Sequence, residues 1–285
     1  MINKGIFNFE ARQNDLRITW FYYDEYYINT GKEIADILIK RDNKFGTSSK
    51  KSINELIDYP DKQYIHYVNL SNPDPDFTPY KPMEYKDLFL QFAYININDD
   101  NEIMNFIKKY GLPVSGLYYP LIDFKKEVKK ANELISIYEL LLKDNIRELR
   151  DIIKTKDDRG NMLWRQNRKR FEKQLNKPEV IFMFLSYIQS NITNILDNEI
   201  TPIFNKLKYD PDDYNQHFRV FPGWSCKSLL AYMYLQLHFF ITENKRIGIC
   251  KFCGKPFEMG QSTRSDKEYH EKCRKKAWYH KNKNK

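Results

Sequence analysis

The rhythm of hydrophobic and polar positions changes near residue 84. Before it, two stretches alternate. Residues 16–23 (LRITWFYY) carry β-branched and aromatic side chains and predict a strand. Residues 62–70 (KQYIHYVNL) predict a second. Between them, residues 31–41 place Ile34, Ile37 and Leu38 on one helical face, and residues 44–51 (KFGTSSKK) read as a polar loop. The four prolines of residues 71–82 make that stretch an irregular connection.

From Glu84 the period is helical. Leu88, Leu90, Phe92, Ala93 and Ile95 form one element. Ile103, Met104, Phe106, Ile107 and Tyr110 form the next, which Gly111 and Pro113 stop. A long helix is predicted from about Asp123 to Lys156, with Val128, Ala131, Leu134, Ile135, Tyr138, Leu141 and Leu142 as its apolar stripe. Gly160 breaks the pattern, and residues 164–175 are basic and polar. A further helix is predicted from Pro178 to Leu207, with Ile181, Phe184, Leu185, Ile188, Ile192, Ile195 and Leu196 inward and a kink at Pro202. Residues 209–224 read as a turn-rich loop. Ser225 is expected to cap a last core helix that buries Leu229, Leu230, Met233, Tyr234, Leu237 and Phe240.

The pattern therefore predicts a mainly α (α+β) fold in three parts. Residues 1–83 form a small β-containing portion, residues 84–244 a helical body, and residues 245–285 a basic C-terminal module. At 285 residues, with 41% hydrophobic and 15% aromatic side chains, the chain can bury a sizeable core. No run reaches the roughly eighteen apolar residues of a membrane-spanning helix. The first residues lack the apolar stretch of a signal peptide, so a cytoplasmic protein is expected. GxGxxG and GxxxxGK[ST] are absent, and with them the commonest nucleotide-binding readings.

Charge changes this picture at one end. From Lys245 onward, 13 lysines and arginines face 4 acidic residues, which accounts for the whole net charge of +9. A concentration of this kind suggests contact with a polyanion, and otherwise a solubilising tail. Three of the four cysteines lie in the same segment. Close spacing in a cytosolic chain points to metal more than to disulfides.

The segment reads Cys250-x2-Cys253-x16-His270-x2-Cys273. Two donors three positions apart can point at one ion, and a second such pair completes a tetrahedron, the geometry of zinc. Gly254 suits the positive φ of a knuckle, and Phe257 is placed to pack beneath it. The second pair should open a helix, because RKKAWYHKNK contains no breaker. His280 is a rival ligand, but on a helix it lies about 10 Å beyond Cys273. Cys250, Cys253, His270 and Cys273 are thus the expected ligands of one structural Zn2+, a closed site without a position for catalytic water. Around them, Lys272, Arg274, Lys275, Lys276 and Lys281 could lie along phosphates, with Trp278 and Tyr279 packing or stacking. The competing reading packs Trp278 on the zinc module and leaves the lysines solvated.

SLLAYMYLQLHFFITENKRIGICKFCGKPFE followed by YHEKCRKKAWYHK resembles bacterial helical proteins that end in a short CGNR-like zinc finger of treble-clef type. Residues 88–113 are similar to a segment that accompanies such fingers. In this chain Arg274-Lys275-Lys276 stands in place of Gly-Asn-Arg, and His270 in place of the first cysteine of the second pair. The resemblance implies a DNA-binding or regulatory protein.

Other constellations read as structural. A ββα-metal nuclease needs a further histidine pair beside the second knuckle, and none is present. His66, His217 and His238 have no nucleophile in a recognisable motif beside them. Cys226, expected in the first turn of a helix, reads as a small buried residue rather than a lowered-pKa thiol. The pairs Asp24-Glu25, Asp99-Asp100, Asp157-Asp158 and Asp212-Asp213 read as turn and cap residues. Trp164 to Lys173 is a second basic patch, read as a solvated face. The aromatic run from Trp20 to Tyr27 fits a core, a cavity wall or a partner surface. No catalytic constellation emerges. The expected function is a zinc-finger nucleic-acid-binding protein, a DNA-binding transcriptional or stress/defence regulator. The alternative is an interaction component of a bacterial defence or toxin–antitoxin system, whose finger docks a protein. In either case the helical body would hold a partner or a second copy.

Overall fold

A computed structural model describes residues 16–17, 20–23, 26–45, 50–67, 77–85, 87–115, 118–155, 176–205, 221–259 and 267–283. The fold is mainly helical, with small sheets. The chain divides into two compact units that interleave along the sequence. One comprises Met1–Lys86, Ile95–Lys129 and Asn198–Met233; the other Asp87–Tyr94, Lys130–Asp197 and Tyr234–Lys285. No helix among the described residues is long and apolar enough to cross a membrane.

The first unit begins with β1 (Leu16–Arg17), β2 (Trp20–Tyr23) and β3 (Tyr27–Thr30). β3 leads directly into α1 (Gly31–Phe45). Thr30 and Glu33 open α1 reciprocally: the Thr30 N–H donates to Glu33 Oε2 at 2.8 Å, and the Glu33 N–H donates to Thr30 Oγ1 at 3.3 Å. Gly31 is needed here, because a Cβ would stand 2.5 Å from the Tyr59 carbonyl and 2.8 Å from that of Leu56. α2 (Lys50–Asp58) follows; its first two residues fall in the stretch 44–51 that was expected as a loop. Its Ile53 and Leu56, three positions apart, pack with Ile34, Ala35, Leu38 and Tyr64. β4 (Gln63–His66) is the centre of an antiparallel sheet, between β3 and β6 (Tyr118–Pro120). β5 (Phe77–Tyr80) pairs with β2, inside the stretch that its prolines had marked as irregular. α4 (Asp100–Tyr110) is capped by Asp99, whose side chain accepts from the Asn101 N–H, and ends at Gly111 with φ 82°.

Two further differences from the sequence reading fall in this unit. The helix expected from Pro178 to Leu207 runs only as far as Leu196, and its last part is instead β7 (Ile200–Asn205), antiparallel to β8 (Phe221–Cys226), which also pairs in parallel with β1. Pro202 is tolerated because β7 lies at the edge of that sheet. Ser225 belongs to β8, so Ser228 caps the last core helix, its Oγ accepting from the Ala231 N–H at 3.1 Å.

The second unit holds α3 (Leu88–Ala93), most of α5 (Leu121–Leu142), α6 (Ile146–Thr155), α7 (Lys177–Leu196) and the C-terminal part of α8 (Leu229–Thr242). The single long helix expected from Asp123 to Lys156 is in fact α5 and α6. Asp144 takes φ 55° at the elbow, and the Asn145 side chain accepts from the Glu148 N–H to start α6. α7 opens on a capping box formed by Asn176 and Glu179. In the core, the Phe240 ring lies 5.1 Å from Phe89 and 5.7 Å from Tyr138. Gln236 Oε1 accepts from the Phe89 N–H at 3.1 Å, which satisfies a buried polar side chain on an otherwise apolar helix.

α8 ends at Thr242, Asn244 turns the chain with φ 50°, and β9 (Arg246–Ile249) and β10 (Pro256–Met259) follow as an antiparallel hairpin. Lys245 joins the two. Its side chain is 12% exposed and its ammonium meets Glu243 at 2.9 Å and Glu258 of β10, while its carbonyl accepts from the Tyr138 hydroxyl at 3.1 Å. Burial pulls Lys245 down, but its two carboxylate partners outweigh that and leave it raised; burial holds Glu258 above the usual carboxylate range in spite of Lys245. α9 (Glu271–Lys283) completes the described chain.

Candidate metal centre and basic helix

The hairpin supplies one side of the centre. At its turn, the Cys250 N–H donates to the Lys255 carbonyl at 3.0 Å, and the Gly254 N–H donates to the Cys250 carbonyl at 2.8 Å. Gly254 closes the knuckle at φ 68°, as its sequence position predicts. Beneath it lie Cys250, Phe257 and Met259, all buried, with Tyr269 and Cys273 against them. Gly248 faces Phe257 across the hairpin, and a Cβ there would stand 2.6 Å from the Phe257 ring. The glycine is what lets the ring lie flat across the strand.

α9 supplies the other side. The His270 carbonyl accepts from the N–H groups of Cys273 and Arg274, both at 3.0 Å, so the helix starts at His270 and carries Cys273 in its first turn. The Lys251 N–H donates to the Glu268 carbonyl at 2.9 Å, and the Lys251 ammonium pairs with the Glu268 carboxylate. These contacts tie the segment before α9 to the knuckle.

Together the two sides bring the four predicted donors to one point. The donor atoms of Cys250, Cys253, His270 and Cys273 all lie within 4.8 Å of one another. Cys253 Sγ is 3.4 Å from His270 Nδ1. Bonds of about 2.3 Å to sulfur and 2.0 Å to nitrogen leave tetrahedral neighbours roughly 3.5–3.8 Å apart, so a small contraction of this cluster encloses an ion. The imidazole is already oriented. His270 Nε2 lies 3.2 Å from the Pro256 carbonyl, which can only accept. In the tautomer with the proton on Nε2 that carbonyl is satisfied, and Nδ1 has a lone pair to offer an ion.

Electrostatics describe the same donor set. Burial raises the Cys250 thiol, but N–H groups of His270, Cys253 and Phe252 and the His270 side chain outweigh it and bring it down to about 6. Cys273 is pushed up to about 11 by desolvation and then by the neighbouring thiols. One thiolate forms readily, and each further one is opposed by those already there. A cation at the centre removes that opposition. The cluster can hold one metal ion.

Of the expected phosphate and stacking residues, Arg274, Lys275, Lys276, Trp278 and Tyr279 are exposed on α9. The side chains of Lys272, His280 and Lys281 lie outside the described residues. Cys273 and Ala277, four apart, are half-buried and define the inward face. Trp278 is 62% exposed, so the competing reading that packs it on the zinc module does not hold. Its ring meets that of Tyr279 edge-on, with centroids 5.2 Å apart and planes at 80°. The Pro256 carbonyl was missed by sequence reasoning. A backbone acceptor carries no residue-type signal and appears only once the hairpin register is known.

The remaining candidates are not among the clustered donors. Cys226 lies at the end of β8, not in a helix, and burial pushes its thiol up to about 12. His66 is buried on β4, with Nε2 2.8 Å from Asn29 Oδ1 and its ring against Tyr27. His238 is exposed on α8, and desolvation lowers its pKa. His217, the patch from Trp164 to Lys173 and the pairs Asp24-Glu25, Asp157-Asp158 and Asp212-Asp213 lie outside the described residues, as do the side chains of the run from Trp20 to Tyr23.

Fold and site define a class: a mainly helical chain whose last described elements are a β-hairpin and a basic helix joined at a Cys3His cluster. Comparison with family descriptions, curated proteins and solved structures finds no match to the chain.

Proposed function

We propose that Cys250, Cys253, His270 and Cys273 hold one structural Zn2+, and that the finger so closed binds nucleic acid as part of a DNA-binding transcriptional or stress/defence regulator. The donor set supports zinc, because three soft thiolates and an imidazole suit it well. Four protein ligands leave no open position, so the ion would shape the finger rather than catalyse. The hairpin, knuckle and helix support a treble-clef-like reading and, with it, the resemblance to bacterial proteins with CGNR-like fingers. A cytoplasmic location and a partner or second copy on the helical body belong to the same reading.

One observation carries the nucleic-acid assignment. A single helix presents a metal donor, Cys273, on its inward face and a run of exposed cations, Arg274 to Lys276, away from it. The metal would thus fix the direction of the phosphate-binding side chains. Exposed Ile249 and Phe252 at the hairpin favour the second reading, a finger that docks a protein.

The test is a fluorescence-anisotropy titration of zinc-loaded protein against random duplex DNA at several salt concentrations. The first reading expects micromolar binding, with log K falling by about three per log unit of salt for three phosphates. Cys250→Ser with Cys253→Ser should abolish it. Salt-independent retention, or none, would favour protein docking instead.

A further inference from the structure

Resting on the nucleic-acid reading, we infer that the outward face of α9 is built for unpaired nucleotides rather than for the grooves of a duplex. The argument begins with helical spacing. Trp278 lies four positions after Arg274 and three after Lys275; Tyr279 lies four after Lys275 and three after Lys276. Each ring therefore stands one turn beyond a pair of cations, on the same side of the helix. All five side chains are exposed, and the two rings are 62% and 67% exposed. Neither ring packs away on the opposite face, where Cys273 and Ala277 sit. Large aromatic surface held in water beside cations needs an occupant with both negative charge and flat apolar faces. Nucleotides carry both.

Pairing decides which nucleotides. In a duplex, base faces are buried in the stack, and a ring reaches one only by wedging open a base step. Reading a major groove from outside needs side chains that make bidentate contacts with base edges. Among the exposed side chains described on this face only Arg274 has that geometry; Lys275 and Lys276 are point charges, and Trp278 and Tyr279 offer π-faces. An unpaired base accepts a ring at no unstacking cost, whichever base it is. The perpendicular rings, at 80°, would meet two bases splayed from each other and not a continuous stack. The shared ligand chemistry is a flexible single strand, DNA or RNA, held by phosphate contacts and ring stacking.

The experiment uses the full-length, zinc-loaded protein and labelled oligonucleotides: oligo-dT, oligo-U and a random-sequence duplex of equal length. At least tenfold tighter binding to a single strand than to the duplex is expected, and oligo-dT against oligo-U reads which sugar is favoured. Trp278→Ala with Tyr279→Ala should weaken single-strand binding by about 30-fold or more and leave duplex binding within about twofold. Trp278→Phe with Tyr279→Phe should restore most of it, and all variants should retain one equivalent of zinc. Arg274→Ala, Lys275→Ala and Lys276→Ala together should weaken both substrates. Duplex bound as tightly as a single strand, or an aromatic variant that changes both equally or neither, overturns this inference and leaves the proposed function standing. Binding to none of the three probes overturns both.

Discussion

α8 and α9 have 14 and 13 residues and are held by different means. From Leu229 to Phe240 every side chain of α8 is buried except His238. On α9 none of the described side chains is buried, and only Cys273 and Ala277 are half-buried. A helix buried on nearly all sides is stabilised by the apolar area it removes from water. A polar helix of α9's length is marginal by itself in water. What α9 has is a fixed base: His270 at its start and Cys273 in its first turn, both facing the hairpin thiols. The contrast teaches that packing area and ligand geometry are alternative ways to order a helix, and that only the first leaves its outward face unusable.

Removing the proposed Zn2+ gives the largest test of that difference. Structural zinc contributes about 10–16 kcal/mol in finger peptides. A strong chelator should therefore abolish amide-exchange protection in β9, β10 and α9 while leaving that of α8 nearly intact. Parallel loss in both helices, or no loss in either, breaks the comparison.

Phe240→Ala attacks the other side. It empties the space between Phe89 and Tyr138 and should cost about 3–5 kcal/mol in urea unfolding. Zinc affinity of the folded protein should not change. Gly248→Ala is the smaller counterpart in the finger. Its methyl group forces the Phe257 ring off the strand, at about 1–3 kcal/mol. A competition titration with a chromophoric chelator should show weaker metal retention and an unchanged urea midpoint for the helical core.

The least of these effects concerns cysteine itself. Cys226, just ahead of α8, is raised from 9.0 to about 12 by burial, whereas Cys250 is brought down to about 6. A folded-state thiol pKa above the unfolded value stabilises the protein below the unfolded value, and that stability is lost as pH rises toward the folded one. Cys226→Ala should therefore flatten the stability profile above pH 9, by no more than about 1 kcal/mol between pH 8 and 9.5. An identical slope in parent and variant would remove the burial argument.

The parts of the fold that could be read in advance were those set by local chemistry. Gly111 stops α4, and Gly254 turns the knuckle, because both need backbone that side chains resist. The apolar run of α8 and the Cys3His spacing are also local signals. The misread parts depend on distant partners or on residues with two uses. Ile200 and Ile203 continue a helical spacing, yet they lie in β7 because β8 offers a ladder. Asp144 looks like any helical aspartate, yet it takes a left-handed turn. Ile53 and Leu56 did carry a signal for α2, three positions apart in a polar stretch, but it was short.

His270 both begins α9 and turns a ring nitrogen into the cluster, so the helix is clamped at one end like a cantilever. Its 13 residues make an arm about 20 Å long. A one-degree tilt at the clamp displaces the far end by about 0.3 Å, and positions 278 and 279, a little over halfway out, by about 0.2 Å. The angular stiffness of the Cys273 and His270 donors thus sets the pointing accuracy of Trp278 and Tyr279. Substituting a donor by one with softer directional preference would blur the position of those rings without touching them.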